Sequence, residues 1–404
     1  MSYRLTGSAG TVLLKPICMP HNDDTRYHIA IIGGGVAGLG AALEASRWGF
    51  ETVLLEKGTL CQATSANSLR IIHGGFRYLQ TLNLHRVRKS LKAKQELLEK
   101  YPQIVRPLAC VMPLKKRGLK SRAPVRAASL LYNLLHYWET GTAAANRSLT
   151  SSEVDRKVRL LSGRAPHGAL LWYDAHLIDP QRLCHLLRQE AVQHGAEILE
   201  GANVTNITRK RGGFELSYSI EAASKTVAAD VVINAAGPWI DQVSRLTDWD
   251  NLRPSRRWCL AFNIIVPRIL EEEYAVACEA AGQDGKNRLF FVTRRGRETS
   301  IGTGYLPFDG DPALAAISEQ EIQDFVAAFN SAFKEQLAIE DVAGIEIGVL
   351  PLAEKTGASL QLVGDEQIFD NQGFIEILST KYTTFMPQAR EVLLKASKYL
   401  KSRA

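Results

Sequence analysis

The sequence predicts an α/β chain, α+β overall, in which a nucleotide-type domain with parallel strands is interleaved with a second domain built on an antiparallel β-sheet. Three observations carry this. A short apolar strand at 28–32 runs into Gly33-Gly34-Gly35-Val36-Ala37-Gly38 and then into a helix. Strand-like runs separated by turn residues alternate with further nucleotide-type elements. The 404 residues, 46% apolar and 23% charged, suffice for one large domain or two to three ordinary ones with ample core.

The elements follow in order. After the glycine run, Leu39 to Trp48 reads as a helix stopped by Gly49, and Thr52 to Leu55 as a second strand ending at Glu56. A strand-helix-strand unit this short implies parallel strands and a right-handed crossover. Asp179-Pro180 opens a helix with an N-cap acid and a first-position proline. Leu183, Leu186, Leu187 and Ala191 form its inward face and Gly195 ends it. Strands are expected at 197–208 and 214–220, around the turn at Lys210 to Gly213, then at 230–234 and near 260–266 and 289–302. Ser318 and Glu321 make a capping box for a helix carrying Ile322, Phe325, Val326, Phe329 and Phe333 on one side. A last helix runs from about Gln388 to Lys401. No internal repeat or low-complexity segment interrupts this order.

The six cysteines are scattered without a Cys-x-x-Cys pair, which favours reduced thiols in a cytoplasmic protein over a disulfide or zinc framework. The nine histidines lack metal-ligand spacing, so no metal is expected. No apolar run is long enough to span a bilayer, and the N-terminus lacks a secretory pattern. The net charge is +7, partly gathered at Lys115, Lys116, Arg117, Lys120, Arg122 and Arg126. An apolar run follows: Leu130, Leu131, Leu134, Leu135, Tyr137 and Trp138. The plainer reading is a solvated basic loop leading into an ordinary buried helix; the sharper one is a peripheral membrane contact. Nothing calls for a nucleic-acid partner.

Gly33, Gly35 and Gly38 fit G-x-G-x-x-G, which brings a pyrophosphate to a helix N-terminus and packs helix on strand. Glu56, at the end of the second strand, is placed to accept hydrogen bonds from a ribose diol. The motif alone does not choose between FAD and NAD.

Residues 64–79, Thr-Ser-Ala-Asn-Ser-Leu-Arg-Ile-Ile-His-Gly-Gly-Phe-Arg-Tyr-Leu, do. They resemble the stretch after the second strand in FAD-dependent glycerol-3-phosphate dehydrogenases, within the D-amino-acid oxidase-like superfamily of FAD-dependent oxidoreductases. Asn234-Ala235-Ala236-Gly237-Pro238-Trp239 is similar to that family's return to the cofactor, and Ser379-Thr380-Lys381-Tyr382-Thr383-Thr384-Phe385 to its flavin loop. The resemblance implies a Rossmann-like FAD-binding domain interleaved with a substrate domain. It implies cofactor contacts from Gly33, Gly35, Val36, Ala37, Gly38, Glu56, Lys57, Thr64, Ser65, Ser68, His73, Gly74, Gly75, Val204, Ala236, Gly237, Trp239, Thr380, Lys381, Tyr382, Thr383 and Thr384. The segments implied are 27–85, 170–256 and 345–404 for the FAD domain, and 86–169 and 257–344 for the substrate or cap domain. Residues 1–26 are expected to be a disordered leader, or an over-called start with Met19 as the true one. The family's additional C-terminal helical domain is expected to be missing.

Arg77, Tyr78 and Lys381 match family positions that line the substrate pocket. Two positions depart from the pattern. Leu350, in Gly348-Val349-Leu350-Pro351-Leu352, stands where the family carries a substrate-binding arginine, and Asn263 where it often carries a histidine. Losing a permanent charge and five donors at 350 weakens or moves phosphate recognition. No histidine follows His194, so the base candidates are His73 and Lys381, with Tyr78 weaker. Three readings remain open. One is a glycerol-3-phosphate dehydrogenase-like enzyme that oxidises a small, polar, anionic alcohol and passes electrons to a quinone, oxygen or a protein. The second is a D-amino-acid oxidase-like amine or 2-hydroxy-acid oxidase. The third is a flavin-binding subunit without turnover.

Overall fold

The first apolar strand, Arg26–Ile32, lies inside a mixed sheet. It pairs in parallel with Thr52–Glu56 on one side and Ala223–Asn234 on the other. The computed structural model describes residues 26–143, 145–249, 255–270, 273–281, 287–353, 360 and 362–400; the expected leader, apart from Arg26, lies outside them. Glu197–Glu200 extends the sheet beyond Thr52–Glu56, and Phe374–Leu378 extends it beyond Ala223–Asn234, both in parallel. Gln367–Asn371 is added antiparallel at the edge. The hairpin Asn203–Lys210 and Gly213–Ile220 continues antiparallel from Ala223–Asn234.

A strand turns successive side chains to opposite faces. Ile29 and Ile31 therefore join the helices Val36–Arg47, Pro180–Gln193 and Phe385–Ala396 in one core. Ala30 and Ile32 pack on the other side with Phe214, Leu216 and Tyr218 of the hairpin.

The second sheet runs Gly344–Pro351, Trp258–Pro267, Glu298–Phe308, Asn287–Arg295, Tyr274–Ala281, Val105–Pro113, Ala169–Leu177 and Ile71–Ile72. It is antiparallel except where Tyr274–Ala281 meets Val105–Pro113. One face packs Phe262, Ile264, Phe290 and Val292 against the helix Glu319–Ala332, whose capping box at Ser318 and Glu321 is formed as expected. The opposite face carries Leu170, Trp172, Ala275 and Ala277.

Several expectations change. Strand 197–208 is two strands, because Gly201 turns at φ +74° and Ala202 N–H bonds back to the Glu56 carbonyl. The last helix begins earlier, at Phe385, because Pro387 sits in the first turn, where a missing N–H costs nothing. Ile71–Ile72 and Ala169–Leu177 pair in the second sheet, although the sequence placed 71–72 and 170–177 in the first domain. Cys61 and Cys184 are joined as a disulfide, against the expectation of reduced thiols throughout. They lie 123 residues apart, a pairing that local spacing does not display.

The helix Arg122–Thr140 also departs from the plain buried reading. Val125, Tyr132 and Leu135 face inward, but Leu130, Leu134, Tyr137 and Trp138 are exposed. Among the described residues, no helix is long and apolar enough to cross a membrane.

The second sheet's core is keyed by Phe325, whose ring lies 4.9 Å from that of Phe262 and 5.0 Å from that of Phe290. Phe325→Ala is expected to cost about 3–5 kcal/mol. A lowered urea midpoint for loss of near-ultraviolet circular dichroism checks this.

Candidate active site

The glycine loop sits where the first strand ends. A Cβ on Gly38 would lie 1.9 Å from the Gly33 carbonyl oxygen, and one on Gly33, at φ +106°, 2.6 Å from that of Ala235. These two glycines let helix, strand and the 235–237 turn touch. Gly35 differs: a Cβ there would meet only the Ser65 Oγ, at 3.2 Å, and the residue lines an open cavity. The space in front of Gly35 is open. Ser65 Oγ accepts the Val36 N–H at 3.1 Å, tying segment 64–68 to the helix start.

Glu56 accepts the Gly34 N–H at 2.6 Å and the Gly58 N–H at 2.8 Å, one on each carboxylate oxygen. Each oxygen keeps lone-pair capacity for a ribose hydroxyl. Lys57 Nζ lies 3.9 Å from the centre of the Trp239 ring, a cation–π contact between two expected cofactor residues. Ala236 N–H donates to Asn234 Oδ1 at 3.2 Å, and Gly237 turns at φ +56° beside it. Ala37 and Val204 complete this end of the cavity wall.

The far end is held by contacts distant in sequence. Thr64 Oγ1 bonds both the N–H and the carbonyl of Val349, at 3.1 and 3.2 Å. The Tyr382 hydroxyl donates to the Ser65 carbonyl, and His73 N–H donates to Thr383 Oγ1 at 3.0 Å. Thr384 is buried behind them at the start of the last helix. Ser68 Oγ accepts the Arg70 N–H. Thr380 Oγ1 is buried, has no hydrogen-bond partner among the described residues and belongs to a cavity-lining residue. The cavity measures about 1740 Å³. That exceeds the usual few hundred to 1,000 Å³ of a drug-sized site and suits a dinucleotide with a substrate beside it.

At the centre lies Asp174, 3% exposed. Its Oδ2 meets His73 Nδ1 at 2.9 Å and accepts the Trp172 indole N–H at 3.1 Å; its Oδ1 accepts the Gly74 N–H at 2.7 Å. Burial works against its charged form. The hydrogen bond and charge of His73, the nearby Lys94 charge and the Gly74 amide outweigh that and hold its carboxyl below the ordinary range. Lys94, itself buried, donates to the Tyr173 carbonyl at 2.9 Å, and burial pushes its ammonium down. The Tyr132 hydroxyl donates to the Gly74 carbonyl at 3.0 Å. Bare Gly74 is required here, since a Cβ would lie 2.2 Å from that hydroxyl oxygen. Gly75, at φ +83°, then turns the chain into Phe76. With Nδ1 engaged by Asp174, the other ring nitrogen of His73, Nε2, is left on a side chain 47% exposed at the cavity wall.

Lys381 Nζ donates to the Tyr78 hydroxyl at 2.6 Å and to the Gly364 carbonyl at 2.7 Å, so two of the expected substrate residues do meet. Arg77 is exposed on the cavity wall and has no ion pair among the described residues. Asn263 is 3% exposed, and its Oδ1 accepts the Thr303 hydroxyl at 3.3 Å. Leu350 lines the cavity from the edge strand of the second sheet. Sequence reasoning missed Asp174 as the partner of His73, along with Lys94, Trp172, Thr303 and Tyr305.

The fold and site define a flavin-dependent oxidoreductase domain of the dinucleotide-binding kind. The chain belongs to the FAD dependent oxidoreductase family, whose model matches residues 28–375, and FAD is its cofactor. It is 31% identical over 333 residues to a glycerol-3-phosphate dehydrogenase of Pseudomonas aeruginosa, an alignment covering 81% of this chain and 62% of that one. It is 30% identical to glycerol-3-phosphate dehydrogenase 1 of Mycobacterium tuberculosis, covering 93% of this chain and 73% of the relative. The glycerol-3-phosphate dehydrogenase of Bacillus halodurans, solved with FAD, superposes with a TM-score of 0.72 at 22% identity, over 93% of this chain and 65% of that one. The chain thus spans somewhat under two thirds of the Pseudomonas relative's length.

Gly35→Ala is expected to fold but to lose most bound FAD, because its methyl group meets a ligand rather than backbone. Gly38→Ala is expected to misfold. The flavin-to-protein absorbance ratio, read beside circular dichroism, separates the two.

Proposed function

We propose that this chain is an FAD-dependent dehydrogenase or oxidase of the glycerol-3-phosphate dehydrogenase type, acting on a small, polar, anionic alcohol. The observation that carries the reading is the His73–Asp174 pair on the wall of the cofactor cavity. FAD, when bound, supplies the acceptor for the hydride that leaves the carbinol carbon. His73 Nε2 takes the hydroxyl proton, and Asp174 fixes the ring and stabilises the imidazolium that forms. Arg77 is the exposed cation for the anionic end. Tyr78 and Lys381, joined by their hydrogen bond, hold a substrate oxygen. A turnover-free subunit would not need so ordered a base. With Leu350 in place of an arginine, glycerol 3-phosphate is a poor substrate.

Purified protein should be yellow and should bleach anaerobically with its alcohol substrate. His73→Asn should keep FAD yet slow bleaching by about 10²–10⁴. Leu350→Arg should gain reduction by glycerol 3-phosphate. A flavin that no alcohol or 2-hydroxy acid reduces would sink the reading.

The exposed face of the helix Arg122–Thr140 supports a peripheral membrane contact, and with it a lipid-borne quinone as acceptor. Leu130, Leu134, Tyr137 and Trp138 follow helical spacing on one side, with exposed Lys116, Arg117, Arg122 and Arg126 at its start. Co-sedimentation with phosphatidylglycerol vesicles should be strong, weaker with phosphatidylcholine, and lost in Leu130→Glu/Trp138→Glu.

A further inference from the structure

The second sheet turns one face to the cavity, and that face is divided. One part is polar: Asn263 and Thr303 are hydrogen-bonded to each other, with Tyr305 on the same strand as Thr303. The adjoining part is apolar and aromatic. Met112, Trp172, Leu289 and Phe291 reach it from three strands, and Phe76 joins them from the turn after Gly75. Their neighbours Val111, Leu171, Phe290 and Val292 point into the opposite core, as alternation requires.

These five side chains form a continuous wall. The Phe76 and Trp172 rings stack with centres 6.4 Å apart and an interplanar angle of 24°; Trp172 meets Phe291 edge-on at 6.5 Å. The wall reaches the reaction site directly, because the Phe291 ring lies 5.9 Å from the ring of His73. Phe291 also pairs in register with Gly302, where the polar part begins. Phe76, Met112, Leu289 and Phe291 are only half-buried although they are apolar. Lys120 reaches the same cavity but is paired with Glu279, which Lys115 also engages, so its charge is already answered.

We infer that the substrate carries a ring-sized apolar group next to the carbon that is oxidised, and that Phe291, Trp172 and Met112 select it. This rests on the proposed function above. The class is a 2-hydroxy acid with an aryl side chain. Its carboxylate answers Arg77, its hydroxyl lies by His73 and its ring fills the wall with the offset and edge contacts that aromatic side chains favour. Methionine adds a sulfur contact to such a ring. Oxidation breaks the C2–H bond, and its electron pair leaves as hydride to the cofactor. The hydroxyl proton passes to His73, and the C2–O bond becomes the carbonyl of a 2-oxo acid. A quinone or dioxygen removes the electron pair afterwards.

The test compares 3-phenyllactate with lactate, each as both enantiomers, by anaerobic stopped-flow reduction of the holoenzyme. Phenyllactate should be favoured by about tenfold or more in the second-order rate constant for reduction. Phe291→Ala and Met112→Ala should each shrink that ratio several-fold, and Phe291→Leu should keep most of it. Flavin content measured on every variant reports folding. Equal rates for the two acids overturn the inference, as do unchanged ratios in the alanine variants. Reduction by glycerol 3-phosphate without reduction by phenyllactate overturns it while leaving the alcohol dehydrogenase reading intact. Reduction by no alcohol or hydroxy acid removes both.

Discussion

The constraint on which the site depends is the buried charge of Asp174. A carboxylate taken out of water is costly unless its lone pairs are filled and an opposite charge stands near. Here the donors are the His73 ring, the Gly74 amide and the Trp172 indole, with Lys94 beside them. Three of these come from other parts of the chain, so satisfying one charge draws the segment after Ile72, the helix Leu84–Lys100 and the strand Ala169–Leu177 together. The same bonds fix which nitrogen of His73 faces the cavity. Structural economy and chemical orientation therefore share one residue.

A second set of contacts places that centre against the cofactor. The backbone of His73 is tied to Thr383, and Ser65 is tied to both Val36 and Tyr382. The glycine loop, segment 64–75 and the start of the last helix are thereby fastened to one another before any ligand arrives. Thr64, bonded twice to Val349, extends this to the edge strand that carries Leu350. A shift in any one segment moves the others, which favours a pre-formed cavity over one assembled on binding.

Local chemistry was readable in the sequence, and distant pairing was not. The strand, glycine loop and helix of residues 26–47 follow from apolar runs and turn residues, and the helices after Asp179 and Ser318 from their caps. Each signal lies within a few residues of what it specifies. Asp174 stands about a hundred positions from His73, and Cys61 is 123 from Cys184, so neither partnership leaves a mark in spacing. The helix Arg122–Thr140 shows a third limit. Apolar residues at helical spacing define a face but not its direction, and here Tyr132 and Leu135 turn in while Leu134 and Trp138 turn out. The resemblance supplied FAD and the pocket positions, but it could not say that Asn263 would be held by Thr303.

The exchange of a charge for Leu350 acquires meaning from what surrounds it. An arginine there would add a second cation to the cavity that Arg77 lines and would suit a doubly charged end group. In the proposed reading, leucine leaves Arg77 to answer a single carboxylate and removes the need to hydrate a second charge inside the cavity. Phe76, Phe291 and Met112 then set the local medium, and a low-dielectric wall beside His73 makes the proton's destination depend more strongly on Asp174. In the proposed reading, Leu350 and the buried carboxylate thus work in one direction: recognition shifts from charge toward shape, while His73 as the proposed base keeps its electrostatic support from behind, out of the substrate's reach.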